Sequence, residues 1–231
     1  MDDVGSLIWA CERGDTTRVR ALLDGGVDPN AKDSLSRRGL PAAARGGHLR
    51  VVQLLLERGA DVALADEGRL ISIPSLPALA AAASAGRLQV VRALLAARAP
   101  LDQRSSYGRT ALILAIEGDH DAVVEALIDA GADLELADGL MERTPLETAA
   151  YHKRSAALQR LLRAGADPNH GNPLSTLCAS VMGATHEHDV RALLDAGAVL
   201  DAPGERGRTP LLSAARWHGV APVRALLDAG A

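Results

Sequence analysis

Residues 109–133 read RTALILAIEGDHDAVVEALIDAGAD, and residues 143–167 read RTPLETAAYHKRSAALQRLLRAGAD, the same pattern 34 positions later. Each stretch begins with Arg-Thr, passes through two segments rich in apolar residues and ends in Gly-Ala-Asp. Apolar residues that recur at three- and four-residue steps are typical of amphipathic helices. The two stretches therefore predict a repeating unit of two helices, with the Gly-Ala-Asp segment as the turn into the next unit.

The same unit extends along nearly the whole chain, from about Leu7 to Ala231. An apolar pair led by leucine closes the second helix of each unit, and successive pairs lie 33, 39, 33, 34, 32 and 33 residues apart. Three positions after each pair comes a glycine in six of the seven units, with Arg98 as the exception. This register predicts seven units. The leading residues of the pairs are Leu22, Leu55, Leu94, Leu127, Leu161, Leu193 and Leu226.

Each predicted helix pair carries start and stop signals. Thr or Asn suits the N-cap of the first, inner helix, and Pro suits the position that follows it. The glycine after the second, outer helix suits a left-handed residue that ends the helix. Alanines in the inner helices allow neighbouring backbones to approach closely. The predicted N-caps are Thr110, Thr144, Asn172 and Thr209.

This unit resembles the ankyrin repeat. The resemblance rests on the Arg-Thr starts at residues 109, 143 and 208 and on the Gly-Ala ends at residues 131, 165 and 230. It implies an all-α solenoid of stacked helix-turn-helix units joined by hairpin-like loops. We expect one domain over residues 1–231, with units at about 1–32, 33–66, 67–104 with an extended loop, 105–138, 139–169, 170–203 with an insertion, and 204–231.

One departure from the ankyrin pattern is systematic, because the histidine that usually follows Thr-Pro-Leu is absent. Ile113, Glu147 and Leu212 stand at the corresponding positions. We therefore expect the side-chain link that this histidine makes to its neighbours to be lost, which lowers the local rigidity but leaves the fold intact.

The composition excludes several classes of protein. Apolar residues make up 48% of the chain, whereas two Trp, two Tyr and no Phe predict a core of Ala, Leu and Val in thin layers. A net charge of -4 weakens the case for binding nucleic acid or anionic membranes.

An acidic N-terminus and the lack of a long apolar stretch predict a cytoplasmic protein without a membrane association. Two lysines among 25 basic residues, together with frequent alanine, indicate a GC-rich, bacterial source.

The cysteines and histidines do not predict a disulfide or a metal site. Cys11 and Cys178 lie in the first and sixth units, roughly 50 Å apart if neighbouring helices lie about 10 Å apart. A disulfide needs Cα atoms within about 7 Å, so both thiols are expected to pack as small buried groups. His186 and His188, in an insertion near residues 181–188, lack a third ligand, and a solvated loop is expected there.

The longest break in the register adds about six residues between the second and third units. This tract, residues 67–76, is apolar for a loop tip and contains Leu70, Ile71 and Ile73. Two interpretations remain open. The three side chains form an extended finger that anchors a partner, or the tract folds back over the inner helices.

The resemblance to ankyrin repeats implies a partner protein that is bound on the concave face of the inner helices and on the hairpin tips. Three of the four aromatic residues fall on this surface, and Tyr, Trp and Arg dominate binding hot spots. Trp9 falls at a leucine-type position of an inner helix, and we expect it either in the core or as a cap on the N-terminal unit. The candidate partner-binding residues are Arg45, Tyr107, Arg109, Glu117, Arg143, Tyr151, His152, Arg208, Arg216, Trp217 and His218.

The function expected from these features is a non-catalytic scaffold, adaptor or inhibitor that binds another protein and needs no cofactor. The alternative is polyanion or nucleic-acid binding through the arginine-lined hairpin tips. The chain has no G-x-S-x-G, Gly-rich phosphate loop or H-E-x-x-H motif, so we predict no enzyme activity. The last unit keeps an apolar outer helix, so self-association through the C-terminal unit is a further hypothesis.

Overall fold

The chain folds into short helices arranged in pairs. The computed structural model describes residues 2–66, 76–180, 187–204, 207–217 and 220–231, without the side chain of Trp217. These residues contain fourteen helices and no strand, so the all-α prediction is confirmed. The inner helices are α1 (Asp3–Arg13), α3 (Gly39–Gly46), α5 (Ala78–Ser84), α7 (Ala111–Glu117), α9 (Pro145–His152), α11 (Pro173–Ala179) and α13 (Pro210–Trp217). The outer helices are α2 (Thr16–Asp24), α4 (Leu49–Glu57), α6 (Leu88–Ala96), α8 (Asp121–Asp129), α10 (Ser155–Arg163), α12 (Glu187–Asp195) and α14 (Val220–Asp228).

The helices group into two compact units, Met1–Ala132 and Asp133–Ala231. In the first unit, which contains α1 to α8, each inner helix packs on the next inner helix and on its own outer helix. The second unit repeats this arrangement with α9 to α14. Within each unit, a helix pair therefore buries its apolar faces against the neighbouring pair, as in other repeat architectures.

The core of both units consists mainly of alanine and leucine. Inner-helix alanines such as Ala43 and Ala82 are completely buried. The leading leucine of each predicted pair is buried from the second pair onward, whereas Leu22 is half-buried and Leu23 is buried instead. Burial of a leucine side chain stabilises a fold by about 1.5–3 kcal/mol. The leucine register therefore marks the side chains that hold neighbouring helix pairs together.

The predicted threonine N-caps are confirmed. The hydroxyl oxygens of Thr110, Thr144 and Thr209 each accept a hydrogen bond from the amide three residues later. The prediction for Asn172 is wrong, because its backbone is left-handed with φ 56° and its side chain makes no capping bond. An N-cap needs an extended backbone to bring the side-chain oxygen over the first amides of the helix. Asn172 instead tolerates the left-handed conformation ahead of Pro173.

The glycines that follow the outer helices are left-handed, as predicted, with φ between 85° and 97°. A residue with a side chain at this position would be strained by about 1–2 kcal/mol. Arg98 occupies the equivalent position after α6 and adopts φ 63°. The third helix pair therefore keeps the same turn as the other pairs, despite the missing glycine.

Side chains at the starts of three outer helices link neighbouring inner helices in the first unit. The residues at the N-caps of α4, α6 and α8 reach the last turn of the inner helix in the previous pair, which is α1, α3 and α5 respectively. Each contact thus ties a helix pair to the inner helix of the pair before it. The contacts join His48 Nε2 to the Glu12 carbonyl oxygen at 2.9 Å, Arg87 Nε to the Arg45 carbonyl oxygen at 3.2 Å, and His120 Nε2 to the Ser84 carbonyl oxygen at 3.2 Å.

Two asparagines bridge successive turns in the same way. The Asn30 side chain donates to the Gly59 carbonyl oxygen at 3.1 Å and accepts from the Asp61 amide at 2.7 Å. Asn169 makes the same pair of bonds to Gly197 and Val199, at 3.1 and 2.8 Å. Both asparagines follow Asp-Pro in the sequence. A single amide side chain thus holds two turns in register in each unit.

We expect Asn30→Ala to lower the free energy of unfolding by about 1 kcal/mol, because it removes both bonds between the two turns. Urea denaturation followed by circular dichroism measures the change. The matched control is Gln53→Ala, which alters an exposed side chain on outer helix α4. Equal stabilities of the two variants would contradict a bridging role for Asn30.

Candidate interaction surface

The arginines of the hairpin tips extend over the inner helices. Arg109 lies just before α7, and its guanidinium is 3.3 Å from the carboxylate of Glu117 at the end of that helix. Arg143 lies just before α9, and its guanidinium is 3.7 Å from the ring centroid of Tyr151. In both cases the partner is eight residues further along the chain. The tip and the inner-helix face therefore form one surface at each of these helix pairs.

Three of the predicted binding residues come together on α9 and the turn before it. Arg143 stacks on the ring of Tyr151, and the ring of His152 meets that of Tyr151 edge-on, with centroids 5.1 Å apart and an interplanar angle of 84°. All three side chains are half-buried, so each has one side against the protein and one side in solvent. A cation stacked on an aromatic ring is an arrangement typical of binding surfaces.

The hairpin turn beside this cluster is held by one aspartate. The Oδ1 atom of buried Asp138 accepts hydrogen bonds from the amides of Leu140, Met141 and Arg143, at 3.2, 2.7 and 3.4 Å. The Asp138 amide also donates to the Arg143 carbonyl oxygen at 2.9 Å. The turn presents Leu140 and Met141 outward with exposed fractions of 56% and 66%. Two apolar side chains of the turn that carries Arg143 therefore stand in solvent.

The remaining candidate residues are not gathered into such a cluster. Arg45 and Arg216 are exposed on their inner helices, whereas Tyr107 and Arg208 are half-buried in hairpin turns. Several candidates lie outside the described residues. These are His218, the side chain of Trp217, and Leu70, Ile71 and Ile73 of the apolar tract.

Of the two expectations for Trp9, the placement in the core is wrong. Its side chain is 40% exposed, and the guanidinium of Arg13 lies 4.7 Å from the ring centroid. Leu7, Ile8 and Ala10 fill the buried side of α1 and leave Trp9 on the outer side. The four-residue spacing of Trp9 and Arg13 was the available signal, because residues at that spacing are neighbours on a helix surface.

A buried carboxyl group lies among arginines of α3 and of the turn before it. Asp66 is 3% exposed, and its Oδ1 accepts a hydrogen bond from the Arg38 amide at 2.6 Å. Burial raises the pKa of Asp66 from the ordinary 3.8 to about 6, against the opposing effects of the Arg38 amide and the charges of Arg45, Arg37 and Arg38. Ionisation of this carboxyl group therefore has a cost in the folded state.

Burial also shifts the pKa of two cysteines and of one lysine. Burial raises the pKa of Cys11 and of Cys178 to about 12, so both stay protonated, as the predicted packing role requires. Burial lowers the pKa of Lys153, just after α9, to about 8. Across the described ranges, no group of three His, Cys, Asp or Glu side chains could hold a metal ion.

Comparison with known families identifies the helix pairs. The family model of ankyrin repeats (3 copies) matches residues 5–66, 66–138 and 146–231. The crystal structure of the human ASB11 ankyrin repeat domain covers 97% of this chain and 97% of its own, with a TM-score of 0.79 and 24% identity. The likeness to that structure concerns the fold, and it confirms the predicted helix-turn-helix architecture.

Two curated relatives are similar in sequence to parts of this chain. The chain is 37% identical over 118 residues to cyclin-dependent kinase 4 inhibitor B of Bos taurus, which covers 51% of this chain and 86% of that protein. It is 33% identical over 161 residues to ankyrin repeat and SAM domain-containing protein 6 of Danio rerio, over 68% of this chain and 19% of that protein. The chain spans less than a third of the length of several curated relatives that it matches.

In the parts of the chain that the structure describes, none of the helices is both long and apolar enough to span a bilayer.

We expect Asp66→Asn to remove a pH-dependent loss of stability. Because the folded-state pKa of Asp66 is raised, its contribution to stability is fully present below about pH 4 and is lost as the pH rises through about 6. Asparagine keeps an oxygen for the Arg38 amide without a charge. Urea denaturation at several pH values should show the variant gaining on the native chain by on the order of 2 kcal/mol between about pH 4 and pH 7. A constant difference over this range would rule out the proposed cost of ionisation.

Proposed function

This chain belongs to the ankyrin repeat family, and from that premise we propose that it is a non-catalytic module that binds a partner protein through its inner-helix face and hairpin tips. Ankyrin repeats are in general non-enzymatic protein-interaction modules. The proposal includes one array of seven repeats with the boundaries given by the sequence register, and a scaffolding, adaptor or inhibitory role. One relative is named as an inhibitor of a cyclin-dependent kinase, which favours inhibition as one form of that role.

The cluster of Arg143, Tyr151 and His152 is the observation that supports this proposal most directly. The two units are filled by alanine and leucine, so the fold does not need aromatic rings in its core. Tyr151 is nevertheless held on the inner-helix side by an arginine from the hairpin turn. A large ring with a positioned cation contributes much binding energy at little entropic cost, which is the property of a hot spot.

Polyanion or nucleic-acid binding through the tips is the alternative. The ion pairs of Arg37 with Glu12 and Asp33, at 2.7 and 2.8 Å, do not favour it. The ion pair of Arg109 with Glu117 likewise does not favour polyanion binding. Charges that are neutralised within the chain release few counterions from a polyanion, so they contribute little affinity. The cytoplasmic location and the bacterial source remain predictions of the sequence.

We expect the double substitution Tyr151→Ala and Trp217→Ala to abolish capture of the partner, because the sequence assigns both residues to the proposed inner-helix surface. Affinity capture from the native lysate, followed by mass spectrometry and titration of the purified partner, measures the loss. Arg163→Ala on outer helix α10 serves as the control, and the thermal midpoint of each variant verifies folding. Undiminished capture by a folded double variant would remove the assignment of this surface.

Self-association through the C-terminal helix pair is a second part of the proposal. Leu212 on α13 and Val220 and Leu227 on α14 are large apolar side chains exposed to solvent. A second copy would cover them and remove apolar area from water. Multi-angle light scattering over a range of concentrations should show a dimer that Leu227→Glu converts to a monomer. A native chain that stays monomeric at every concentration would contradict self-association.

A further inference from the structure

The described tip arginines differ in the groups that hold them. Arg37 is paired with two carboxylates and Arg109 with one. Arg143 has no carboxylate partner among the residues that the structure describes, and its guanidinium lies instead on the Tyr151 ring. Its charge is therefore positioned but not neutralised.

The stacking leaves the hydrogen-bonding groups of Arg143 available. A guanidinium that contacts a ring through its flat face directs its N–H groups outward in the plane of the stack, away from the ring. Two parallel N–H groups match the two oxygens of a carboxylate. Because the ring already orders the guanidinium, less side-chain entropy is lost when a carboxylate binds.

The neighbouring carboxylates of the same hairpin and helix have other roles or positions. Asp138 accepts the amides of the turn, and Glu147 accepts the Thr176 hydroxyl at 2.8 Å. Glu142 is exposed in the turn itself.

The turn that carries Arg143 also exposes apolar side chains. Leu140 and Met141 are the most exposed apolar residues of this turn, and hydrogen bonds from their two amides to Asp138 hold their backbone in place. We name Leu140, Met141, Arg143, Tyr151 and His152 the α9 patch. A flexible methionine next to a leucine accommodates an apolar side chain of varied shape.

We propose that the α9 patch binds an extended segment of a partner protein in which an Asp or Glu side chain lies next to a large apolar side chain. The carboxylate pairs with the fork of Arg143, and the apolar side chain covers Leu140 and Met141. This inference rests on the proposed interaction function and specifies the chemistry of the partner.

Selection from a random peptide display library on the full chain tests the proposal. The enriched peptides should combine Asp or Glu with a neighbouring apolar residue. Synthetic versions should bind the native chain at least about tenfold more tightly than versions with Gln in place of the acid. Arg143→Gln and Tyr151→Leu should each weaken binding by a similar factor, and Arg143→Lys should be intermediate because it keeps the charge without the fork. Arg163→Gln has the same change in net charge on outer helix α10 and should bind like the native chain.

Each contrary result has a distinct meaning. Enriched peptides that are basic or purely apolar, or that bind Arg143→Gln unchanged, would overturn the α9 patch and leave the interaction function standing. Equal binding of a phosphate-bearing peptide with no acidic residue would show that the fork selects phosphate rather than carboxylate. Failure to enrich any sequence would contradict recognition of a linear segment, whereas the interaction function is decided separately by the capture of a folded partner.

Discussion

Each helix pair has an apolar side that only another helix pair can bury, and the rest of the structure depends on this requirement. The contact between neighbouring inner helices is made by fully buried alanines such as Ala43 and Ala82. A larger side chain at such a position would force the helices apart, at a typical cost of about 1–3 kcal/mol. Cys11 and Cys178 satisfy the same limit, because a protonated thiol is a small apolar group and burial keeps it protonated.

The turns that join one helix pair to the next are held by hydrogen bonds from polar side chains. The polar backbone groups of the turns need partners, and short polar side chains supply them. Asp33 and Asp138 accept several amides of their own hairpins, whereas Asn30 and Asn169 join one turn to the following turn. The hairpin tips are therefore ordered before any partner binds, which lowers the entropy that binding has to offset.

Local signals in the sequence predicted local features of the structure. Threonine N-caps, left-handed glycines and buried leucines depend on a few neighbouring residues, and these predictions are confirmed. Asn172 was mispredicted because its side chain suits both an N-cap and a left-handed backbone, and the following proline does not discriminate between them. Trp9 was wrongly expected in the core because its position in the repeat did not show that Leu7, Ile8 and Ala10 already fill the buried side of α1.

The candidate site was only partly predictable for a related reason. The sequence placed Arg143 and Tyr151 on one surface, but their stacking depends on how the hairpin turn aims an arginine over the helix that follows. Only three-dimensional structure distinguishes this arginine from Arg109, which uses the same eight-residue spacing to reach a glutamate.

Because Arg109 and Arg143 have different partners within the chain, they differ in how readily they pair with an acidic side chain of a bound protein. Exposed ion pairs contribute little to stability, yet a ligand carboxylate that approaches Arg109 must still compete with Glu117 for the same N–H groups. At Arg143 no such exchange is needed, because the guanidinium keeps its contact with the Tyr151 ring while its edge binds a new carboxylate. The scarcity of aromatic residues strengthens the argument, since alanine and leucine fill the core and leave the ring of Tyr151 for the surface. The same small-residue packing that builds the fold thus leaves the Arg143 guanidinium on the Tyr151 ring, without an acid of its own among the described residues.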